Sequence, residues 1–511
     1  MKRTLILFTL LFLFVVQGVY SQTNDTLQKR NEIQKNPVSE LKADIDALLD
    51  NPDFSNACIG VSVFSLETGE YFYRRNDRIN LIPASTQKLL TTAAALEYLG
   101  EDFTYSTSLY LDGNVQSNGE FIGNIIIRGT GDPTLCKIYS IDPVDLLRQW
   151  AKIIDSLGIN SIKGNIIGDD RYFDNVAYGP GWSWDDMSYA FSAEVSALNI
   201  YANVVEIILR PGDVAGDFAK FRLYPENDYL RVINNVRTVP NNKPTDIRIN
   251  KELNSNFVEI TGFISLDSLS NEEVRIPVSI HNPTMFFLSL FHKQLLEKGI
   301  RCRTALIDIE ALNENINYTN LDPIAENTSV PLSEIVKIVN KNSHNLSGEV
   351  LLKTIGKELT GEGSYDASCS FIEQFASKAG ISPNSFVYVD GSGLSRFNLI
   401  SPAEQTSLLN YVYRAKYKET FINSLARPGE AGTLKSRMTK SLAEKNVFAK
   451  TGSMNSISTI SGYVKTRDAE TLAFSIMINN YTVPQSLAHN LQDLICMRLA
   501  SFSRKTRTQG K

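Results

Sequence analysis

At 511 residues the chain is too long for one compact core, so about two to four domains are expected. Its 43% hydrophobic and 21% charged residues are those of a soluble globular protein, and the net charge of −5 gives no argument for nucleic acid or an anionic surface as partner. The four histidines, His281, His292, His344 and His489, are scattered and form no metal-spaced cluster with cysteine, so neither a metal nor another cofactor is expected.

Lys2-Arg3, an apolar run over 5–16 and the small-residue site Gly18-Val19-Tyr20-Ser21 have the pattern of a secretory leader cleaved near Ser21–Gln22. Residues 1–21 are therefore read as a signal peptide and the mature chain as periplasmic. An uncleaved anchor is the alternative, against which the run is short for a spanning helix. No cysteine follows the site, which argues against a lipoprotein anchor. Cys58, Cys136, Cys302, Cys369 and Cys496 are odd in number and widely spaced, so they are expected mostly as buried apolar residues rather than a disulfide framework.

Residues 22–37 are polar and aperiodic, the mark of a disordered mature terminus, and 38–49 read as an amphipathic helix. Strands at 58–64 and 69–73 form a hairpin through Leu66-Glu67-Thr68-Gly69. Pro83-Ala84-Ser85-Thr86-Gln87-Lys88 then opens an apolar helix; proline suits the first turn, where its missing N–H is not needed. Ser85 and Lys88, three residues apart, share one face of that helix. Leu89, Leu90, Ala93, Ala94 and Leu96 leave little surface for solvent, so the lysine should be costly to keep charged and its pKa should fall. A neutral lysine beside a hydroxyl can take its proton and make it a nucleophile, and the N–H groups of the helix N-terminus favour an oxyanion. A buried helix whose lysine snorkels to water has the same pattern, and Ser39-Glu40-Leu41-Lys42 repeats the spacing in a charged stretch.

Beyond the helix the pattern turns to strands at 105–110 and 120–128, then to the tight loop Gly129-Thr130-Gly131-Asp132-Pro133-Thr134-Leu135. Asp142 caps a helix over 143–157, and a strand at 162–168 ends in Asp169-Asp170-Arg171. Gly179-Pro180-Gly181-Trp182-Ser183-Trp184-Asp185-Asp186 reads as a rigid aromatic loop in which both tryptophans are core or hinge packing. Short strands dominate 203–277, as one β-rich insertion or two nested ones. Helices are expected at 283–299, 332–339 and 349–359, with the polar stretch Asn340 to Leu346 before the last. A strand at 386–389 leads into Asp390-Gly391-Ser392-Gly393-Leu394-Ser395-Arg396, and Ser401-Pro402 opens another helix. Strands at 447–453, 459–464 and 472–478 complete a terminal sheet before a last helix at 486–500 and a basic tail.

Three polar motifs stand out: Ser85-x-x-Lys88, Ser343-x-Asn345 and Lys450-Thr451-Gly452. Each alone is weak, and Ser453-Met454-Asn455 is a second Ser-x-Asn, but Lys-Thr-Gly occurs once. In order, spacing and context the set resembles that of the serine β-lactamases and penicillin-binding proteins. The Asp390 to Arg396 loop, Gly131-Asp132-Pro133-Thr134-Leu135, Pro180 to Asp186 and the long interval between Lys88 and Ser343 narrow it. Over about 38–500 the chain is similar to low-molecular-mass class C penicillin-binding proteins, the type-4 D-alanyl-D-alanine carboxypeptidases/endopeptidases. His344 departs from the Asp often found there, which could alter pH dependence. The resemblance implies an α/β fold: a serine β-lactamase/transpeptidase-like domain at 38–102 and 280–505, split by inserted smaller β-rich domains at 103–279, with a nested β-rich unit at about 203–265.

The same resemblance implies roles. Ser85 forms the acyl-enzyme with Lys88 as base. Ser343 and Asn345 face Lys88, the first relaying a proton to the leaving amine, the second orienting lysine and substrate. A helix N-cap is the plain alternative for that pair. Lys450 raises the local positive potential and attracts the peptide's carboxylate, which Thr451 binds, and Gly452 lets the substrate approach. The N–H groups of Ser85 and Ser453 form the oxyanion hole. Asp169, Arg396 and Asn455 are candidates for the cross-linking side chain, although Asp169 could only cap a turn and Arg396 could pair structurally. The implied partners are peptidoglycan stem peptides and cross-links, with β-lactams as covalent inhibitors and no membrane span after leader cleavage. A β-lactamase or esterase of the same fold and a non-catalytic cell-wall binding protein are the alternatives. Oligomeric state is not fixed by the sequence.

Overall fold

The computed structural model describes residues 36–266, 273–312 and 316–505; the leader at 1–21 and the polar stretch at 22–35 lie outside the described residues. The first helix, α1 (Pro37–Leu49), starts where the Asn36 side chain accepts from Val38 N, and it buries Val38, Leu41, Ile45 and Leu49 on one face. Strands β1 (Cys58–Ser65) and β2 (Tyr71–Arg75) follow, then a single 3-10 turn over Ala84–Gln87 that runs straight into α2 (Lys88–Tyr98). Next come β3 (Ser106–Val115), β4 (Glu120–Gly129), α3 (Pro143–Ser156) and β5 (Ser161–Asp169). Six strands follow: β6 (Val204–Arg210), β7 (Lys220–Tyr224), β8 (Arg231–Val239), β9 (Asp246–Lys251), β10 (Phe257–Ser265) and β11 (Val274–Ser279). The chain returns through α4 (Pro283–Lys298), β12 (Arg301–Asp308) and β13 (Ala325–Thr328). Five helices follow, α5 (Leu332–Lys341), α6 (Asn345–Thr360), α7 (Tyr365–Lys378), α8 (Pro402–Val412) and α9 (Lys418–Ser424). The end is β14 (Val447–Met454), β15 (Ile457–Lys465), β16 (Thr471–Asn479) and α10 (Gln485–Ala500).

The architecture is mixed α/β. One sheet has the order β14-β15-β16-β1-β2, with antiparallel neighbours throughout, so Cys58 near the start pairs with Asn479 near the end. Every residue of β16 is buried because both faces of this sheet are covered. Leu472, Phe474, Ile476 and Ile478 face α1 and α10, and Ala473 and Met477 face the helices around α2. The apolar alternation of β16 thus divides two cores. A third core joins α3 and α4 to the remaining sheets through Trp150, Phe287, Ile125 and Ile207.

Those sheets are β12-β5-β4-β3-β13, β8-β10-β9 and β11-β6-β7. β12 pairs in parallel with β5 (Arg301 opposite Ser161) and β13 pairs antiparallel with β3, so 301–308 and 325–328 share one sheet with β3, β4 and β5. Likewise β11 pairs antiparallel with β6, Ser279 opposite Val204. The strand expected at 386–389 is a single bridge between Val387 and Leu399, because the loop after it folds back onto Asp390. Helix α6 starts four residues earlier than its apolar pattern, at Asn345: the cap is His344, whose ring accepts from Ser347 N. Histidine is outside the usual capping set, so the start carries no ordinary signal.

Candidate active site

The turn before α2 is fixed by one carbonyl. Pro83 O accepts from Thr86 N at 3.2 Å, from Thr86 Oγ1 at 2.8 Å and from Thr459 Oγ1 of β15 at 2.6 Å. Ala84 holds a left-handed backbone (φ 46°), and Gly393 abuts it so closely that a Cβ there would lie 2.0 Å from Ala84 O. On the other side runs the edge strand β14: a Cβ on Gly452 would come within 2.8 Å of Ser85 N and 2.3 Å of Thr459 Oγ1. Ser85 therefore sits half-buried between a tight loop and a strand that only glycine lets approach.

Lys88 lies fully buried beneath it. Its Nζ donates to Asn345 Oδ1 at 2.7 Å, to Ser392 O at 2.6 Å and to Ser85 Oγ at 3.1 Å. Lys450, also fully buried, donates to Ser343 Oγ at 2.8 Å and to Thr451 O at 2.7 Å. All these acceptors are neutral oxygens, so nothing in hydrogen-bond contact compensates either charge. Burial lowers the Lys88 pKa, with the carboxyls of Glu349 and Asp390 opposing, and drives that of Lys450 well down, helped by the charge of Lys88. A serine hydroxyl beside an amine poised to be neutral is the arrangement from which general-base activation proceeds.

Asn345 faces Lys88, whereas the Ser343 hydroxyl accepts from Lys450 instead. The Asn345 amide also donates to Phe191 O at 2.7 Å, which ties this helix start to the segment after the aromatic loop. Between them, burial and the charge of Lys88 push His344 down to about 4. It is a neutral cap acceptor at ordinary pH, not a switch near neutrality. Thr451 is nearly buried, and Ser453 and Asn455 are exposed at the end of β14 and in the hairpin turn that follows.

The structure thus draws Ser85, Lys88, Ser343, Asn345, Lys450, Thr451 and Gly452 into one cleft. Arg396 is exposed beside Phe397, where its charge opposes the upward push of burial and Asp185 on Asp186. Asp169 turns to structural partners instead. Its carboxylate accepts from Arg171 N and Nε at 3.1 Å, Arg171 Nη2 at 3.0 Å and Tyr318 OH at 2.6 Å, which together outweigh burial and hold its pKa down. The tryptophans divide. Trp182 is buried and donates to Asp390 Oδ2 at 2.9 Å, but Trp184 is 73% exposed and packs no core.

Sequence reasoning missed the acceptors behind Lys88. Asp390 organises its own loop, taking Gly393 N, Ser395 N and Asn398 Nδ2. Glu349, one turn beyond Asn345, takes Gly391 N and Ser392 N. The i, i+4 spacing from Asn345 was visible; the backbone partners were not. A cavity of about 330 Å³ opens beside Ser343 and Asn345, walled opposite by Lys137, Phe191, Tyr201 and Tyr224.

Comparison with known proteins shows the family and the fold. The family model described as D-Ala-D-Ala carboxypeptidase 3 (S13) matches residues 41–501. A D-alanyl-D-alanine carboxypeptidase of Actinomadura sp. is 32% identical over 484 residues, 93% of this chain and 87% of that one. The crystal structure of penicillin binding protein 4 (dacB) from Haemophilus influenzae superposes with a TM-score of 0.77 at 23% identity, covering 90% of this chain and 99% of that one. The same protein complexed with a β-lactam superposes with a TM-score of 0.70 at 22% identity, covering 88% and 98%. At those identities the two structures speak for the fold.

Proposed function

The chain belongs to the D-Ala-D-Ala carboxypeptidase 3 (S13) family, and from that membership we propose that it is a serine D-alanyl-D-alanine carboxypeptidase whose acyl-enzyme forms on Ser85. The observation that carries the assignment is the Lys88 amine: buried, bonded only to neutral oxygens, and 3.1 Å from Ser85 Oγ. In its neutral form Lys88 takes the Ser85 proton as Oγ attacks the carbonyl of the D-Ala–D-Ala bond. The N–H groups of Ser85 and Ser453, brought alongside by Gly452, meet the oxyanion. Thr451 and Lys450 receive the terminal carboxylate. The proton that Lys88 took from Ser85 leaves with the departing amine by way of the Ser343 hydroxyl, which Lys450 holds, so Lys88 is neutral again; Asn345 holds Lys88 and the substrate amide. Water then opens the ester with Lys88 again as base.

The finer reading is a carboxypeptidase/endopeptidase on peptidoglycan stem peptides and cross-links. It is supported by the exposure of Trp184, Arg396, Phe397 and Asn455, residues that no core requires. β-Lactams act as covalent inhibitors, in keeping with the β-lactam complex of the H. influenzae protein. The leader-like residues 1–21 support export to the periplasm, and no helix among the described residues is long and apolar enough to cross a membrane.

The test is covalent labelling with a fluorescent penicillin, peptide mapping of the adduct, and D-alanine release from a pentapeptide. The label is expected on Ser85, and Ser85→Ala should lower D-alanine release by about 10³-fold or more. An adduct on another residue, or release unchanged in Ser85→Ala, would remove the assignment.

A further inference from the structure

Helix α6 carries a polar ladder along one buried face. Asn345, Glu349 and Lys353 stand at successive four-residue steps, and each reaches a different part of the chain. Asn345 meets Lys88; Lys353 Nζ donates at 2.6 Å to Asp174 Oδ1 and to Val176 O. The middle rung is the unusual one. Glu349 is fully buried, and both of its oxygens are occupied by backbone: Oε2 accepts from Gly391 N at 3.0 Å and Oε1 from Ser392 N at 2.7 Å. The peptide that starts at Ser392 then presents its carbonyl to Lys88 Nζ at 2.6 Å, the shortest of the lysine's three hydrogen bonds.

A buried carboxyl is costly, and hydrophobic packing of this helix does not need one. With both oxygens taken by N–H groups, Glu349 is not disposed to activate water. We infer that Glu349 is a positioning residue for the general base: it clamps the Gly391–Ser392 backbone so that the Ser392 carbonyl fixes the Lys88 amine against Ser85. This rests on the Ser85–Lys88 reading above. The clamp acts together with Asp390: Glu349 holds the N–H groups of Gly391 and Ser392, and Asp390 accepts from Gly393 N, the N–H of the amide that carries the Ser392 carbonyl, and from Ser395 N.

The test reads the rate of Ser85 acylation by a fluorescent penicillin against pH, with thermal melting in parallel. Glu349→Gln keeps the shape but turns an NH2 group toward one of the two N–H donors, so the clamp loses a bond. Acylation should slow about 10- to 100-fold, the cost of a reacting group displaced by a fraction of an ångström to an ångström. The pH midpoint should also move down, since a negative neighbour of Lys88 is lost. The other groups facing these two remain: Asp390, Lys450 and His344 around Lys88, and Lys353, Tyr365, Cys369 and Tyr388 around Glu349. Lys353→Met, one turn further on, is the structural control; it should lower the melting temperature and leave the midpoint in place.

Glu349→Gln acylating at the wild-type rate with an unmoved midpoint would overturn the inference. So would Lys353→Met moving the midpoint equally. If Glu349→Gln does not fold, Glu349→Asp decides: it keeps the charge but shortens the reach, so slower acylation at an unchanged midpoint is expected. Failure of both variants to fold makes the residue a determinant of the fold and also removes the assignment. Wild-type protein that takes no label on Ser85 sinks the underlying reading instead, so the two failures are distinct.

Discussion

Two regions of this molecule gather cations, and they treat them oppositely. In the cleft, Lys88 and Lys450 are fully buried and donate only to neutral oxygens. On the β11-β6-β7 sheet, Arg210, Arg222 and Arg275 surround Glu273 within 3.0 Å, with Arg275 also on Glu206, and the arginines are half exposed or more. The outer cluster is charge matched to charge under solvent screening, which alters little. The inner pair is charge made unfavourable, which turns ammonium groups into bases and electrophiles. Burial and partner, not residue type, separate a catalytic lysine from a decorative arginine.

Substitutions can break that contrast in order of size. Lys450→Ala should cost about 10²-fold in kcat/KM for D-alanine release, because the cleft loses the amine that holds Ser343 and receives the carboxylate. An effect within twofold would mean the buried lysine is structural. Gly452→Ala should be nearly as damaging to acylation. Its methyl meets Thr459 Oγ1, Pro83 O and Ser85 N, which also costs about 1–3 kcal/mol of stability; denaturant unfolding measures the second effect and labelling the first.

Acid tests the same principle on stability. His344 has a folded pKa near 4 against an ordinary 6.5, so between those values the unfolded chain binds more protons. Stability should therefore fall as pH drops from about 6.5 to 4, by about 3 kcal/mol through this residue. His344→Asp, which keeps a cap acceptor, should flatten that slope; an unchanged slope would assign the acid sensitivity elsewhere. The smallest effect belongs to the outer cluster. Glu273→Gln should leave D-alanine release and the acylation pH profile untouched, and a change in either would erase the distinction between the two regions.

What was legible in the sequence was whatever depended on local pattern. Pro83 to Leu96 announces a buried helix with two polar residues on one face, and the last three strands announce a terminal sheet. The three motifs carried the cleft because resemblance supplies long-range proximity that periodicity does not. What stayed hidden was side chain meeting distant backbone. Nothing in Glu349 or Lys353 names Ser392 N or Val176 O as partner. Nor does composition tell Trp182, which reaches Asp390, from Trp184, which reaches solvent. Nor does anything in Arg301–Asp308 name β5 as its parallel partner.

The pairing of β1 with β16 bears on how the molecule comes into being. A growing chain makes Ile59, Val61 and Val63 about 400 residues before Ile476 and Ile478, so the first strand leaves synthesis with one edge open. The intervening sheets can close while that edge waits, since their strands are nearer neighbours along the chain. Loss of the final segment from Thr471 would then leave an enzyme whose inserted strands are protected from amide exchange and whose catalytic half is not.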